Sequence, residues 1–174
     1  MPQNRIVSIV GKSGAGKTAL IEQLVLELKG RGLRVGTIKH DTHGFEMDKP
    51  GKDSWRHKQA GSAITIIASP YQIGVVMDVN HDHTLDELVP LFAKVDIILA
   101  EGYKREDKPK IEVFRSGVHG EPLCTLSDNL IAMFSDKVIY PEIPRFATDD
   151  VQGLASFLLN YLGVREKDNA TLDP

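Results

Sequence analysis

A single cysteine, Cys124, stands among 174 residues. It excludes a disulfide framework and any multi-cysteine zinc or iron–sulfur site, and it reads as a small buried side chain. Excess charge is also scarce. The formal net charge is −3, and a general nucleic-acid coat would be basic overall. Long hydrophobic runs are missing: Val95–Ala100 has the length of a strand, far short of the roughly 20 residues of a spanning helix. Met1–Arg5 leads straight into Ile6–Val10, with no secretory apolar region or cleavage site. Internal repeats, low-complexity tracts and linkers are absent too. The expectation is a soluble, cytoplasmic chain with no nucleic-acid or membrane partner. What is present suits a folded domain: 41% hydrophobic residues can bury a core, and 26% charged residues make an ordinary surface.

Ile6–Val10 predicts a buried strand. A glycine-rich turn follows at 11–18, and then Leu20, Ile21, Leu24, Val25 and Leu28 recur at helical spacing. Gly30 and Gly32 end that helix. Val35–His40 reads as a second strand, Asp41–Gly51 as a loop and Asp53–Ala60 as a short helix. Ala63–Ala68 and Ile73–Val79 flank Ser69-Pro70-Tyr71-Gln72, a hairpin signal. Thr84 and Glu87 fit a capping box opening a helix to about Phe92. Val95–Ala100, Ile111–Phe114 and Leu130–Phe134 read as further strands. Asp149 and Asp150 open a last helix, which Gly163 closes. The alternation predicts an α/β fold, a mostly parallel sheet flanked by helices, and the glycine-rich turn at 11–18 makes it one of the phosphate-loop NTPase class. The hairpin at 63–79 is expected as an antiparallel extension at one sheet edge. One domain over 1–163 and a frayed polar tail at 164–174 complete the expected organisation.

Gly11-Lys12-Ser13-Gly14-Ala15-Gly16-Lys17-Thr18 matches G-x-x-x-x-G-K-[ST] at every defined position, between a strand and an amphipathic helix. Small residues let such a loop curl so that successive amides meet phosphate oxygens, and the helix N-terminus adds partial positive charge. Gly11, Ser13, Gly14, Ala15, Gly16, Lys17 and Thr18 are the candidate nucleotide ligands. Lys17 suits the β- and γ-phosphates, and Thr18 offers a hydroxyl to Mg²⁺. Such a loop needs a carboxylate near the metal. Glu101 follows the apolar run Ile97–Ala100, at the strand end where parallel sheets bind ligands, and is the candidate for metal and catalysis. Asp96 lies at the opposite end and should face away.

The stretch Lys39–Ser54 also follows a strand. It concentrates lysines, histidines and carboxylates in a loop of the kind that phosphate and metal order. Asp53 could reach Mg²⁺ or orient a water, or it could cap the helix that starts there. His40 and His43 have an offset that suits a helix, not the loop read there, and no third ligand of zinc type accompanies them.

Together these segments resemble the B-type molybdopterin-guanine dinucleotide biosynthesis proteins. The resemblance rests on the phosphate loop, on Ile38-Lys39-His40 through Asp48-Lys49-Pro50-Gly51-Lys52-Asp53-Ser54 to Ala60-Gly61, and on Ile97 through Glu101-Gly102-Tyr103-Lys104 to Pro109-Lys110-Ile111-Glu112. Tyr103 stands where the family often has Phe. The resemblance implies a GTP-binding adaptor with weak GTPase activity and a homodimer. It also implies a partner, the A-type guanylyltransferase that joins GMP to molybdopterin, with molybdopterin itself a further possible ligand.

Guanine selectivity requires an acceptor for the N1 and N2 donors, and one carboxylate can serve both. Asp136, directly after the strand Leu130–Phe134, is the candidate. Lys104, Arg105, Lys108 and Lys110 could hold a second anion or form a plain solvated loop. The alternative function is a small-molecule kinase. It would need an arginine-bearing lid; Arg56, Arg105 and Arg115 are the arginines available, and no arginine-rich segment is visible. Charge is divided along the chain: residues 1–61 hold 11 Lys and Arg against 6 Asp and Glu, and residues 62–174 hold 10 against 18. The positive excess coincides with the segments assigned to phosphate.

Overall fold

The computed structural model describes residues 5–167. They form two compact units, one of residues 5–40 and 84–167 and one of residues 41–83.

The larger unit is built on β1 (Ile6–Val10), β5 (Ile97–Glu101), β6 (Lys110–Phe114) and β7 (Leu130–Ser135), whose residues are almost all buried. Strands covered on both faces need such continuous apolar runs. With β2 (Val35–Lys39) and the two-residue β8 (Arg145–Phe146) they make a six-stranded sheet in the order β2-β5-β1-β6-β7-β8. Every pairing is parallel. β1 sits between β5 and β6, so connections leave it towards both sides, and the carboxyl ends of these three strands border a ligand crevice.

Helices α1 (Lys17–Gly30) and α4 (Val151–Leu162) cover one face. Leu20, Leu24, Leu28, Leu154 and Leu158 pack there on Val7, Ile9, Leu99 and Ile111. On the other face, α3 (Leu85–Leu88) and the 3₁₀ turn Val89–Leu91 shelter Ile6, Ile38 and Ile98. The capping box is formed as expected: Glu87 N–H donates to Thr84 Oγ1, and Thr84 N–H to Glu87 Oε2. Beside them Cys124 is buried with Val10, Phe114, Leu130 and Met133. Burial and the nearby Glu112 carboxylate push its thiol pKa up to about 12. The segment after α4 does not begin as a frayed tail. Val164 is buried, the Lys167 N–H donates to the Arg31 carbonyl, and the Lys167 ammonium pairs with Asp96 at 2.6 Å. Residues 168–174 of the expected tail lie outside the described residues.

Asp96 stands at the start of β5, the strand end opposite Glu101. Burial alone would raise its pKa, but the Arg34 N–H and the charges of Lys167 and Arg5 hold it below the usual carboxylate range.

The smaller unit contains α2 (Asp53–Gln59) and the antiparallel pair β3 (Ile64–Ala68) and β4 (Ile73–Met77). The predicted hairpin is present, with the Ser69 N–H donating to the Gln72 carbonyl across the turn. It is not an added edge of the six-stranded sheet, however, but a two-stranded sheet of its own. Among the described residues no helix is long and apolar enough to cross a membrane.

Candidate functional site

The turn after β1 is shaped by glycines with positive φ. Gly11 has φ 145°, and a Cβ there would stand 2.5 Å from the Val113 carbonyl oxygen of β6. Gly16 adopts the left-handed conformation at the N-cap of α1, which has no side-chain cap and no acidic residue in its first turn. The amides at that end therefore have no side-chain acceptor from the helix's own cap or first turn, which leaves them for an anion. The Lys17 ammonium crosses the loop and donates to the carbonyls of Gly11 and Lys12 at 3.0 and 3.1 Å.

β5 brings Glu101 to this turn. In the parallel register Glu101 lies opposite Ile9 of β1 and Lys39 of β2. The Thr18 hydroxyl stands 3.1–3.2 Å from both carboxylate oxygens and donates to them. A residue 83 positions away thus meets the loop's terminal threonine. The Gly102 N–H donates to the Ile9 carbonyl, while a Cβ on Gly102, at φ 95°, would press to 3.2 Å from the His40 Cβ. Next to it the Tyr103 ring stacks on His40 at 4.5 Å. Glycine at 102 thereby lets the end of β5 pass close to the end of β2 and leave Glu101 facing the loop.

A third strand end completes the edge, and the sequence reading weighed its arginine only for a kinase lid. Arg115 follows β6 and carries its guanidinium over the Phe134 ring, 5.9 Å from the centroid. The His119 ring Nε2 lies 3.0 Å from the Ser13 carbonyl. Arg115 has the strand-end position that picked out Glu101, but only the strand order shows that β6 stands beside β1.

Asp136, at the end of β7, is also on this edge of the sheet. Its carboxylate accepts from the Ser116 N–H at 3.0 and 3.1 Å and from the Ser116 hydroxyl at 2.8 Å. These bonds, the Ser116 N–H foremost, hold its pKa below the usual carboxylate range. Asp136 thus ties the end of β7 to the end of β6, a task that position alone did not reveal.

Asp53 belongs to the smaller unit. It is the first residue of α2, where a negative charge suits the helix dipole. Lys52 occupies the N-cap and no side-chain cap bond is made, so the capping alternative is not realised. Asp53 lies 3.8 Å from Arg56 and, with Lys49, Lys52, Ser54 and His57, lines an open cavity of about 630 Å³. The basic cluster after β5 loses two members to structural work. Lys108 pairs with Asp86 at 2.6 Å. Lys110 is buried and donates to the carbonyls of Glu106 and Asp128 at 2.6 and 2.9 Å, so it cannot hold an external anion.

The family described as molybdopterin guanine dinucleotide synthesis protein B matches residues 6–136. The molybdopterin-guanine dinucleotide biosynthesis adapter protein of Haemophilus influenzae is 37% identical over 162 residues, 90% of this chain and 89% of that protein. Its Escherichia coli counterpart is 35% identical over 164 residues, 90% and 93% of the two chains. The crystal structure of Bacillus subtilis MobB superposes with a TM-score of 0.72 at 26% identity, covering 90% of this chain and 96% of that one. Thymidylate kinases of Xylella fastidiosa match more weakly, at 27% identity over 146 residues and only 61% of their length. With a phosphate loop met by Glu101 on a β2-β5-β1-β6-β7-β8 sheet, and with these relatives over nearly its whole length, the chain belongs to the molybdopterin guanine dinucleotide synthesis protein B family.

Proposed function

We propose that the chain binds GTP with Mg²⁺ at residues 11–18, hydrolyses it slowly, and acts in the cytoplasm as a homodimeric adaptor in molybdopterin guanine dinucleotide biosynthesis. Its partner is the guanylyltransferase that joins GMP to molybdopterin, and molybdopterin is a further ligand. The observation that carries the nucleotide assignment is the meeting of Thr18 with Glu101 at 3.1–3.2 Å beside a loop matching the motif throughout. The adaptor role rests on the family.

A hydroxyl and a carboxylate are hard oxygen donors, which fit Mg²⁺. Thr18 and Glu101 would hold the ion, which when bound neutralises phosphate charge. The protein groups do the rest. Loop amides and the N-terminus of α1 accept the phosphates. The Lys17 ammonium exchanges loop carbonyls for phosphate oxygens. Glu101 orients the metal-side groups, and Asp53, in the smaller unit, is proposed as a further catalytic carboxylate. Asp136 is proposed to read the guanine N1 and N2 donors with lone pairs that Ser116 leaves available.

Calorimetric titration tests this reading. The wild type should bind GTP in preference to ATP, Lys17→Ala should abolish binding, and Asp136→Asn should erase the preference for guanine. Phosphate release should be slow, indifferent to small-molecule acceptors and altered by the guanylyltransferase. Fast, acceptor-dependent transfer would replace the adaptor with a kinase.

A further inference from the structure

β6 lies directly beside β1, and the residues after it turn back over the phosphate loop. The N–H groups of Val118 and His119 both donate to the Arg115 carbonyl at 3.0 Å, forming a tight turn. That turn is fastened to the loop by His119 on the Ser13 carbonyl and, more loosely, by Glu121 3.6 Å from Lys12. Its root is fixed by Ser116, whose N–H and hydroxyl are both bound to Asp136. Arg115 is thereby pinned between a strand and an anchored serine. A Cβ added to Gly16 would lie 4.0 Å from an Arg115 Nη2, so the guanidinium borders the N-cap of α1.

The electrostatics of this place are unusual. The N-terminus of a helix carries partial positive charge, and a guanidinium beside it adds more. Among the described residues no carboxylate lies within 4.0 Å of the Arg115 guanidinium, and its neighbour is the Phe134 ring. Half-buried arginines ordinarily spend their planar set of N–H donors on a carboxylate or phosphate. Two positive sources converge on one flank of the loop, and among the described residues no carboxylate is paired with the guanidinium; that makes a site for a negative ligand.

We propose that Arg115 is a phosphate ligand supplied by the chain itself, closing the β6 flank of the loop on the phosphate chain of the bound nucleotide. This rests on the nucleotide assignment made above. Glu101 and Thr18 work from the β5 side, and Arg115 works from the opposite one. Its N–H donors meet non-bridging phosphate oxygens, and the guanidinium rests over the Phe134 ring.

The test is calorimetry of GTP binding by the wild type, Arg115→Met, Arg115→Lys and Lys17→Ala, each at several salt concentrations. Arg115→Met keeps the apolar packing on Phe134 and removes the charge. It should weaken GTP binding roughly tenfold to a hundredfold and flatten the salt dependence. Arg115→Lys, which keeps the charge without the planar fork, should recover part of the affinity and the salt slope. Wild-type affinity and salt slope in Arg115→Met, with binding abolished in Lys17→Ala, would overturn the role of Arg115 alone. Unchanged affinity in Lys17→Ala would instead overturn the nucleotide site itself.

Discussion

Gly11 and Gly14 occupy the same loop and share a positive φ, yet they answer to different constraints. At Gly14, φ is 77° and nothing lies within 4 Å of an added Cβ. Alanine there meets only backbone strain, about 1 kcal/mol. At Gly11 the added methyl also meets the Val113 carbonyl at 2.5 Å. That oxygen belongs to a central strand and cannot retreat without breaking sheet pairing. Gly11→Ala should therefore cost about 2–4 kcal/mol, clearly more than Gly14→Ala. Denaturant unfolding of the two variants measures the difference, and equal costs would mean that the loop is free to move off β6. The motif shows that glycine is needed at position 11, and only the packing shows why. The same limit explains Lys110. Its position after Glu101 in a basic run suggested an anion site, but the chain turns at 104–108 and buries the ammonium among carbonyls. Charge in a run does not reveal which side chains the backbone will enclose.

The hairpin presents the corresponding problem at the scale of an element. Ile64 faces Met77, Ile66 faces Val75 and Ala68 faces Ile73 in register, and opposed residues share a face. That face is wholly apolar, and all six residues are exposed. A two-stranded sheet is marginal by itself, and an exposed apolar face of this kind marks an interaction surface. A second copy suits it, because a two-fold axis presents the identical face to itself. We place the proposed homodimer contact here. Ile66→Lys should bury two ammonium groups at that contact and convert the dimer to monomer in sedimentation velocity, while leaving GTP binding by the loop within about twofold. A dimer that survives Ile66→Lys would move the interface elsewhere. The strands themselves were readable, because the turn residues between them are specific. Their membership of a separate sheet was not, since Ile66-Ile67-Ala68 is apolar on both faces and pairing partners are set by distant backbone. β8 escaped for a simpler reason: two residues carry no periodicity.

In the whole molecule, the reading of the site depended on strand order. Glu101 was found without that order, because an apolar run ending in a carboxylate is visible locally. Arg115 needed it, because β6 becomes a wall of the loop only by standing next to β1. With β5 and β6 on either side of β1, nucleotide should couple three strand ends and two helices that share one core. Binding to the folded state alone raises stability by about 2.7 kcal/mol at a ligand concentration 100 times Kd. For a chain of 174 residues that corresponds to a rise in unfolding temperature of roughly 5–11 °C. Saturating Mg²⁺ and GTP should produce this shift in the larger unit, and Lys17→Ala should remove it without lowering the midpoint of the unliganded protein by more than about 3 °C, because its ammonium is bonded only to loop carbonyls. Calorimetric scans with peptide-level hydrogen exchange would assign the protection. Protection reaching β5, β6 and α1 together is the expected pattern. Protection confined to residues 11–18 would mean that the loop binds nucleotide without engaging the strand ends that flank it, and the roles given to Glu101 and Arg115 would then fall together.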